Sequence, residues 1–565
     1  MNPAQVLAYF DRLTEAPNAV PRLRKFILDL AVRGKLVEQD SNDNCAEQRI
    51  NNTLIAKKET ITTTDLSEQP YFLPDSWKWV HLGDRLKMIN GRAFKPTDWL
   101  QVGLPIIRIQ NLNNENAPFN YCDPKTIEPR HVIHSDDFLI SWSGTPGTSF
   151  GAFIWQRGKA ALNQHIFKCL QIGDEYYDRF LQIAINGRLD EMIAKAHGGV
   201  GLQHITKGKL ENLLLSLPTL AEQHRIVAKV DELMGLCDQL EAAQAQRERR
   251  RDRLMAASLN RLNWPDGDAK AFRAHARFHL AHLPRFTVRP DQIPALRQTI
   301  LNLAAHGRLI SQDPTDESAA ELLEKITGTK RRLVAQRKLR VTKELEPMTD
   351  GEILFNLPVR WCRTRLGAVY DVRDGTHDTP KYAETGYPLI TSKNLSSGRL
   401  SFDDVKLISE QDHRQISERS TVERDDILLA MIGSIGNPVL VDTDRPFSIK
   451  NVALFKYYDR ELSCPGFLCL FLQYATGEMR QLAAGGLQPF VSLGFLRNFP
   501  IILPPLAEQH RIVAKVDELM AVCDRLEAQL TTTQTESRRL LEAVLHEALA
   551  PAPALLPSKA IKEEL

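Results

Sequence analysis

The 565-residue sequence predicts an α+β fold in which one globular α/β domain and one long helix occur twice, as an internal pseudo-twofold repeat. The stretch LAEQHRIVAKVDELM at 220–234 recurs without a change at 506–520. From each copy onward, apolar residues fall at alternating spacings of four and three, which is typical of a long helix with a packing seam. Before each copy lie short segments rich in Ile, Val, Leu, Phe and Tyr, bounded by Gly, Pro, Asn and Asp, which are typical of strands and loops.

The repeat extends beyond this phrase and sets the domain boundaries. Residues 217–241 match 503–527 at all but four positions, and 20–40 match 293–313 at about half of theirs. The blocks between these markers align only in scattered pieces, such as GLPIIRIQNL with GYPLITSKNL. We therefore predict an N-terminal helical region (1–72), a first α/β domain (73–217), a central long helix (218–262), a linker with a repeated helical region (263–356), a second α/β domain (357–503), a C-terminal long helix (504–549) and a tail (550–565).

Each repeated phrase should begin a helix of about 40 residues, which would be roughly 60 Å long at about 1.5 Å per residue. Thr219 followed by Glu222 three positions later predicts a capping box at the first start. Pro505 is tolerated in the first turn at the second start. The seams are long enough for the two helices to pack on each other. Cys237 and Cys523, which occupy equivalent positions, are expected to be buried.

Composition and charge exclude several classes of protein. With 43% apolar and 25% charged residues the chain is typical of a globular protein, and its net charge of +2 decides little about partners. No run of about 18 apolar residues occurs, and Asp11 and Arg12 interrupt any signal peptide, so we expect a cytoplasmic protein without a membrane segment. The eight cysteines form no Cys-x-x-Cys pair, so no metal site is predicted.

Catalytic motifs are absent or poorly placed. No phosphate-binding Gly-x4-Gly-Lys-Ser/Thr loop, His-Glu-x-x-His pair or Asn/Asp-Pro-Pro-Tyr/Phe methyltransferase motif occurs. GTSFG at 147–151 spells a nucleophile elbow, but the following AFIWQRG is typical of a strand and not of the required helix. The PDGDAK string at 265–270 has its acidic residues too close together for a nuclease site. We therefore predict no catalytic residues and no cofactor bound by this chain.

The two LPxLAEQHRIVAKVDELM segments, each closing a variable domain and opening a long helix, resemble the specificity subunits of type I restriction–modification systems. The resemblance implies that the variable blocks are target-recognition domains for double-stranded DNA and that the long helices form an antiparallel coiled coil. It also implies two methyltransferase (M) subunits as partners, together with restriction (R) subunits. S-adenosylmethionine, ATP and Mg would be bound by those partners. A surface presented twice can bind two copies of one partner, which offers a reason for the verbatim phrase.

Candidate DNA-binding residues come from paired loops rich in side chains that bind base edges or phosphates. They are Asn90, Arg92, Lys95, Asn163, Gln164, His165, Gln203 and His204 in the first domain, and Thr376, His377, Lys381, Lys450, Asn451 and Gln488 in the second. Candidate partner-docking residues on the repeated helices are Glu222, Arg225, Lys229, Glu508, Arg511 and Lys515. The basic runs QRERRRDR (246–253) and KRRLVAQRKLR (330–340) could contact phosphates or form solvated helix faces.

Two other functions remain open from the residues alone. One is a single-chain restriction–methylation enzyme with diverged motifs, which would methylate DNA without partners. The other is a structural coiled-coil adaptor, which would leave no sequence-selective footprint on DNA. The roles of the charged inserts near 40–70 and 314–350 are not indicated by the sequence.

Overall fold

The computed structural model describes residues 14–43, 69–144, 150–188, 193, 197–199, 202–263, 269–341, 343–349, 352, 357–484 and 489–549. The chain divides into two compact units, and each joins segments that are distant in sequence. Unit 1 comprises residues 1–248 and 534–565, and unit 2 comprises residues 249–533. No helix in the described part of the chain is long and apolar enough to cross a membrane.

Thirteen α-helices occur in the described residues. In chain order they are α1 Ala19–Val32, α2 Ile109–Asn113, α3 Asp178–Asn186, α4 Lys207–Glu211, α5 Leu220–Asn263, α6 Ala269–Phe286, α7 Ile293–Ala305, α8 Ala319–Ala335, α9 Leu366–Val369, α10 Glu410–Ser420, α11 Pro465–Gln481, α12 Leu493–Asn498 and α13 Leu506–Leu549. The long helices α5 and α13 have 44 residues each, in line with the length predicted from the seam.

In unit 1 the strands form four sheets. They are β1 Lys78–His81, β2 Leu86–Asn90, β3 Leu104–Ile107, β4 Asn120–Cys122, β5 Val132–Ile133, β6 Phe138–Ser141, β7 Ser143–Gly144, β8 Gly151–Ile154, β9 Ala160–Leu162, β10 Ile166–Gln171, β11 His197–Gly199, β12 Leu202–His204 and β13 Leu214–Leu217. The sheet orders are β2-β10-β6-β8, β4-β3-β9-β5, β11-β12-β7 and β1-β13. The predicted strand after GTSFG is present as β8, while residues 145–149 lie outside the described residues.

Unit 2 repeats this architecture with a different sequence. Its strands are β14 Cys362–Arg365, β15 Tyr370–Asp374, β16 Tyr382–Ala383, β17 Tyr387–Ile390, β18 Lys406–Ile408, β19 Ile427–Ala430, β20 Gly436–Leu440, β21 Ser448–Ile449, β22 Val452–Tyr457 and β23 Pro500–Leu503. The order β15-β22-β19-β20 corresponds to β2-β10-β6-β8, and β14-β23 corresponds to β1-β13. The prediction of two α/β domains in one chain is therefore confirmed.

The same buried contacts close both domains. Ile226 in α5 and Ile512 in α13 are fully buried, and each contributes about 1.5–3 kcal/mol through the apolar surface it removes from water. The equivalent cysteines Cys237 and Cys523 are buried as predicted. Each long helix thus packs its first turns into the core of the domain that precedes it.

Two equivalent glycines end the short repeated helices. The chain leaves α1 through Gly34 (φ 67°) and α7 through Gly307 (φ 66°), in the left-handed region that favours glycine. A Cβ atom at these positions would lie 2.4 Å from Pro74 and 2.5 Å from Pro358, respectively. The shared glycine therefore lets each short helix dock against the first residues of its own α/β domain.

Candidate nucleic-acid interface

In the first domain, the candidate loops meet where β2 ends and β10 begins. Arg92 and Asn163 form a parallel β-bridge, in which the Arg92 N–H donates to Leu162 O and the Gln164 N–H donates to Arg92 O, both at 2.9 Å. Gly91 makes this approach possible, since a Cβ atom there would lie 2.1 Å from Asn163 O. The structure therefore brings together two loops that are about seventy residues apart in the sequence.

The place where these loops meet is called the first edge below, and its counterpart in the second domain is called the second edge. A third candidate loop reaches the first edge through β7 and β12. The Trp142 N–H donates to His165 O at 3.4 Å, and the Ile205 N–H donates to Trp142 O at 3.0 Å. Gln203 pairs with Gly144, and His204 pairs with Ser143. Only the backbones of Gln203 and His204 are described, and they lie in register beside the loop that carries His165.

The side chains of this first edge differ in their freedom. Asn90, Lys95 and Gln164 are exposed. The Arg92 guanidinium is already engaged: Nη1 donates to Thr126 O at 2.7 Å, and Cζ lies 5.3 Å from the centroid of the Phe94 ring. Asn90 and Lys95 are therefore open to a ligand, whereas Arg92 is oriented by its own domain and Gln164 Nε2 lies 3.2 Å from His165 Nε2.

The second domain builds the same junction at the equivalent strand ends. Thr376 and Lys450 form a parallel β-bridge, and the Asn451 N–H donates to Thr376 O at 3.1 Å. Gly375 corresponds to Gly91, since a Cβ atom added at Gly375 would lie 2.2 Å from Ile449 O. The third loop is also present, because the Val491 N–H donates to Met431 O at 2.9 Å. Gln488 lies outside the described residues.

The side chains at the second edge form a charged network. His377 Nδ1 lies 3.0 Å from Asn451 Oδ1, and His377 Nε2 lies 2.9 Å from Asp374 Oδ2. Asp374 also forms an ion pair with Arg419, and Lys450 Nζ donates to Thr379 Oγ1. Lys381 is exposed. Sequence reasoning missed Arg419, because it lies on α10, outside every loop that the repeat pairs.

A groove of about 770 Å³ opens beside this second edge. Lys450 and Asn451 line it together with Lys393 and Lys406, which the sequence analysis did not select. Lys406 Nζ lies 6.0 Å from the centroid of the exposed Tyr382 ring. The signal for Lys393 was its place directly after a predicted strand, in YPLITSKNL, where side chains gather at a sheet edge.

Glu222 and Glu508 are not surface docking residues, and this part of the prediction is wrong. Each carboxylate is only 1% exposed. Trp77 Nε1 donates to Glu222 Oε2 at 2.8 Å, and Trp361 Nε1 donates to Glu508 Oε2 at 3.0 Å. Burial raises the pKa of both carboxyl groups. The Thr219 hydroxyl accepts from the Glu222 N–H at 3.2 Å, so the predicted cap forms, but the Glu222 side chain turns to the tryptophan.

The repeated arginines are also engaged within their own units. Arg225 binds Asp43, with Nη2–Oδ2 at 2.9 Å, and Arg511 binds Asp316, with Nη2–Oδ2 at 2.5 Å. The hydrogen bond from Arg225 lowers the pKa of the Asp43 carboxyl group. Each arginine nevertheless keeps more than a third of its side chain exposed. These internal pairs give the verbatim phrase a structural reason in addition to any docking role.

An exposed stripe remains on each repeated helix. Lys229 Nζ lies 2.9 Å from Glu232, and Lys515 Nζ lies 2.8 Å from Glu518, with about 40% of each lysine side chain exposed. One turn further, Leu236 and the equivalent Val522 are 53% and 40% exposed. The two helices thus present the same charged pair followed by an exposed apolar residue.

In the described residues, no group of three or more His, Cys, Asp or Glu side chains could hold a metal ion. The seven cysteines in this part of the chain are unpaired and mostly buried. Burial raises the pKa of the Cys469 thiol to about 12, which disfavours its nucleophilic thiolate form. The polar side chains described at the two edges are suited to hydrogen bonding.

Comparisons with known proteins match both α/β domains. The family model described as "Type I restriction modification DNA specificity domain" matches residues 74–248 and 358–533. The chain is 27% identical over 564 residues to the type I restriction enzyme EcoAI specificity subunit of Escherichia coli, with 94% of each chain covered. It is 25% identical over 561 residues to the EcoEI specificity subunit of the same organism, again with 94% of each covered.

A solved structure is similar in the same way. The HsdS subunit from Thermoanaerobacter tengcongensis aligns with 86% of this chain and 99% of that chain, at 18% identity and a TM-score of 0.43. The two ranges matched by the family model cover more than half of the chain, and each comprises one α/β domain and the first part of its long helix. The chain therefore belongs to the family of type I restriction–modification DNA specificity proteins.

Proposed function

We propose that this chain reads a bipartite, asymmetric DNA target, with one half-site bound at each of the two edges. The observation that carries the proposal is the common backbone junction with unlike side chains. Gly91 and Gly375 hold equivalent loops together, yet the first edge has Arg92 and Asn163 where the second has Thr376 and Lys450. Equivalent frames with different side chains are suited to reading different sequences.

The chemistry of these side chains matches base edges. Amide groups such as those of Gln164 and Asn451 can pair with adenine, and lysines such as Lys450 can donate to guanine O6 and N7. The groove beside Lys450 adds Lys393 and Lys406, which are suited to phosphate or base contact. We therefore assign recognition to the edges of the domains.

We further propose that two methyltransferase subunits dock on the exposed stripe that α5 and α13 share, and that restriction subunits join this assembly in the cytoplasm. The stripe is identical in charge at Lys229 and Lys515, so one partner surface fits both. S-adenosylmethionine, ATP and Mg would then be bound by the partners. The antiparallel pairing of α5 and α13 remains part of this proposal.

Exchanging a domain tests the recognition role. Replacing residues 357–503 with the corresponding block of a relative that has a different target should change one half of the methylated sequence, because each edge reads alone. The measurement is single-molecule mapping of methylated bases in cells that carry the complete system. A change in both halves would contradict independent reading. In a separate assay, the purified chain without its partner subunits should methylate no DNA when S-adenosylmethionine is supplied.

Charge reversal tests the docking stripe. Lys229→Glu and Lys515→Glu should each reduce the number of bound methyltransferase subunits from two toward one, and the double variant should bind neither. Arg525→Glu is the matched control, since this exposed residue lies on α13 but is glutamine at the equivalent position 239. Light scattering at concentrations near the dissociation constant measures the stoichiometry. Two subunits bound to either single variant would contradict the docking assignment.

A further inference from the structure

A second groove, of about 510 Å³, lies within unit 2 beside the recognition edge. One wall is formed by residues 337–341 and Lys343, which belong to the charged insert near 314–350. The opposite wall comes from β15, α10 and α12 and includes Arg373, Arg419 and Arg497. Basic side chains thus face the groove from both sides, and the insert supplies four of them.

The segment is held in place by both of its ends. Helix α8 stops where Arg337 adopts a left-handed conformation (φ 58°), and the Lys338 N–H donates back to Leu333 O at 3.0 Å. Leu339 is only 9% exposed and anchors the turn. Further along, Arg365 binds Glu346 O at 3.0 Å and Pro347 O at 2.7 Å. Residues 337–341 and Lys343 therefore lie between two anchored stretches of the chain.

The cations of the opposite wall are already neutralised or engaged. Arg373 pairs with Asp371 at 2.7 Å, and Arg419 pairs with Asp374. Arg497 Nη2 donates to Val372 O at 2.8 Å. Asp371 and Asp374 are therefore already paired with arginines of the same wall. Glu418 is the third acidic residue that lines the groove.

The insert provides the uncompensated charge. Arg337, Lys338, Arg340 and Lys343 are all exposed, and in the described part of the chain none of their side chains forms a hydrogen bond or an ion pair. Four free cations face one free carboxylate, so the groove carries a net positive charge. Such a concentration of unpaired cations attracts an anionic ligand.

The groove is continuous with the recognition edge. Asp374 lines the groove and also binds His377, which lies at the junction of the candidate DNA-binding loops. Arg419 lines the groove and also a smaller cleft that contains Thr376. An extended anion that passes over the edge would therefore continue along the insert.

We infer that the insert segment 337–343 binds the phosphate backbone of the DNA next to the half-site that the second domain reads. This inference rests on the proposed function. Lysine and arginine contacts to phosphates add affinity without sequence information and release counterions. The segment therefore strengthens binding and leaves the choice of sequence to the edge.

The test compares two sets of three charge removals in the full chain assembled with its partners. Lys338→Gln, Arg340→Gln and Lys343→Gln neutralise the groove. Arg249→Gln, Arg250→Gln and Arg253→Gln remove the same charge from the exposed basic run on α5 in the same unit. Fluorescence anisotropy measures affinity for target and unrelated duplexes from 50 to 300 mM salt. A third variant exchanges Lys and Arg at 338, 340 and 343 and keeps the charge.

Neutralising the groove should weaken binding to both duplexes by the same factor and reduce the slope of log K against log[salt] by about 0.9 per lost phosphate contact, up to about 2.7. The charge-keeping variant should retain the slope. An unchanged slope in the groove set would overturn the inference, and so would an equal loss of affinity and slope in the α5 set. The proposed function would still be upheld in either case if the wild-type complex preferred the target duplex. A wild-type complex without any preference would instead overturn the proposed function.

Discussion

At the residue scale, the verbatim phrase is explained first by internal contacts. Glu222 and Glu508 are buried against Trp77 and Trp361, and the tryptophans themselves are repeated in LPDSWKW and LPVRWC. The pairing of glutamate with tryptophan was open to prediction from the sequence, because the tryptophan recurs in both halves of the chain together with the repeated phrase. Identity between two copies does not distinguish a shared partner from a shared interior.

These carboxylates predict a pH dependence of stability. Burial raises their pKa in the folded chain above the ordinary value of 4.5, so the folded state binds more protons than the unfolded state as pH rises past that value. The stability that these two carboxyl groups contribute therefore falls from about pH 4.5 upward, until the raised pKa is passed. The double variant Glu222→Gln/Glu508→Gln cannot titrate, so its stability relative to wild type should increase over this interval.

Urea unfolding from pH 4 to pH 7, performed on both proteins, measures this difference. The matched control is Glu232→Gln/Glu518→Gln, which changes exposed carboxylates on the same two helices. An equal change of this control with pH would show that the effect does not depend on burial. A difference from wild type that stayed constant with pH for the buried pair would show that the two carboxylates are not perturbed by burial.

At the scale of elements, periodicity and the repeat predicted the long helices and several strands of both α/β domains. LPIIRIQNL was among the segments typical of strands and loops, and in the structure β3 ends at Ile107 and the helix α2 begins at Ile109. The meeting of the three loops at each edge was not predictable, because it depends on pairings such as Arg92 with Asn163 across about seventy residues. Sequence spacing carries no information about such non-local pairing.

The segment that walls the basic groove depends on one buried arginine. Arg365, with 8% of its side chain exposed, binds Glu346 O, Pro347 O, Asn498 O and the Glu352 carboxylate. Lysine keeps the charge but cannot reproduce the planar fork. Arg365→Lys should therefore destabilise unit 2 by about 2–3 kcal/mol, as expected when hydrogen bonds to a charged group are lost.

Hydrogen exchange of residues 343–349 should increase in Arg365→Lys, and the salt slope of DNA binding should fall even though no charge is removed. Arg363→Lys, on the exposed face of the same strand, is the control and should change neither. Retained protection of 343–349 in Arg365→Lys would show that other contacts hold the segment.

At the scale of the whole molecule, the chain is not a series of domains along its length. Residues 220–248 of α5 belong to unit 1 and the remainder to unit 2, whereas residues 506–533 of α13 belong to unit 2 and the remainder to unit 1. The short helix α1 binds both long helices within unit 1, through Arg24 with Asp238 and Arg22 with Glu542. The helices are thus shared elements, and we expect their length to fix the distance between the two half-sites that the edges are proposed to read.

An insertion in both long helices, at the points where they pass from one unit to the other, tests whether helix length sets this distance. Duplicating residues 242–248 after Glu248 and residues 527–533 after Thr533 adds seven residues to each helix and keeps the seam in phase, because the apolar pattern recurs every seven positions. The added length is about 10 Å. At roughly 3.4 Å per base pair, the unread gap between half-sites should lengthen by up to about three base pairs.

A three-residue insertion at the same points is the control, because it rotates the apolar residues after the insertion out of line with those before it and should impair folding more than the longer insertion does. The methylated sequence produced by each complex gives the spacing directly, and both half-sites should keep their own sequences because neither edge is altered. An active seven-residue variant that still methylated the parental spacing would show that the α/β domains, and not the long helices, set the distance. The expected result makes helix length a determinant of the target that is independent of every base-reading residue.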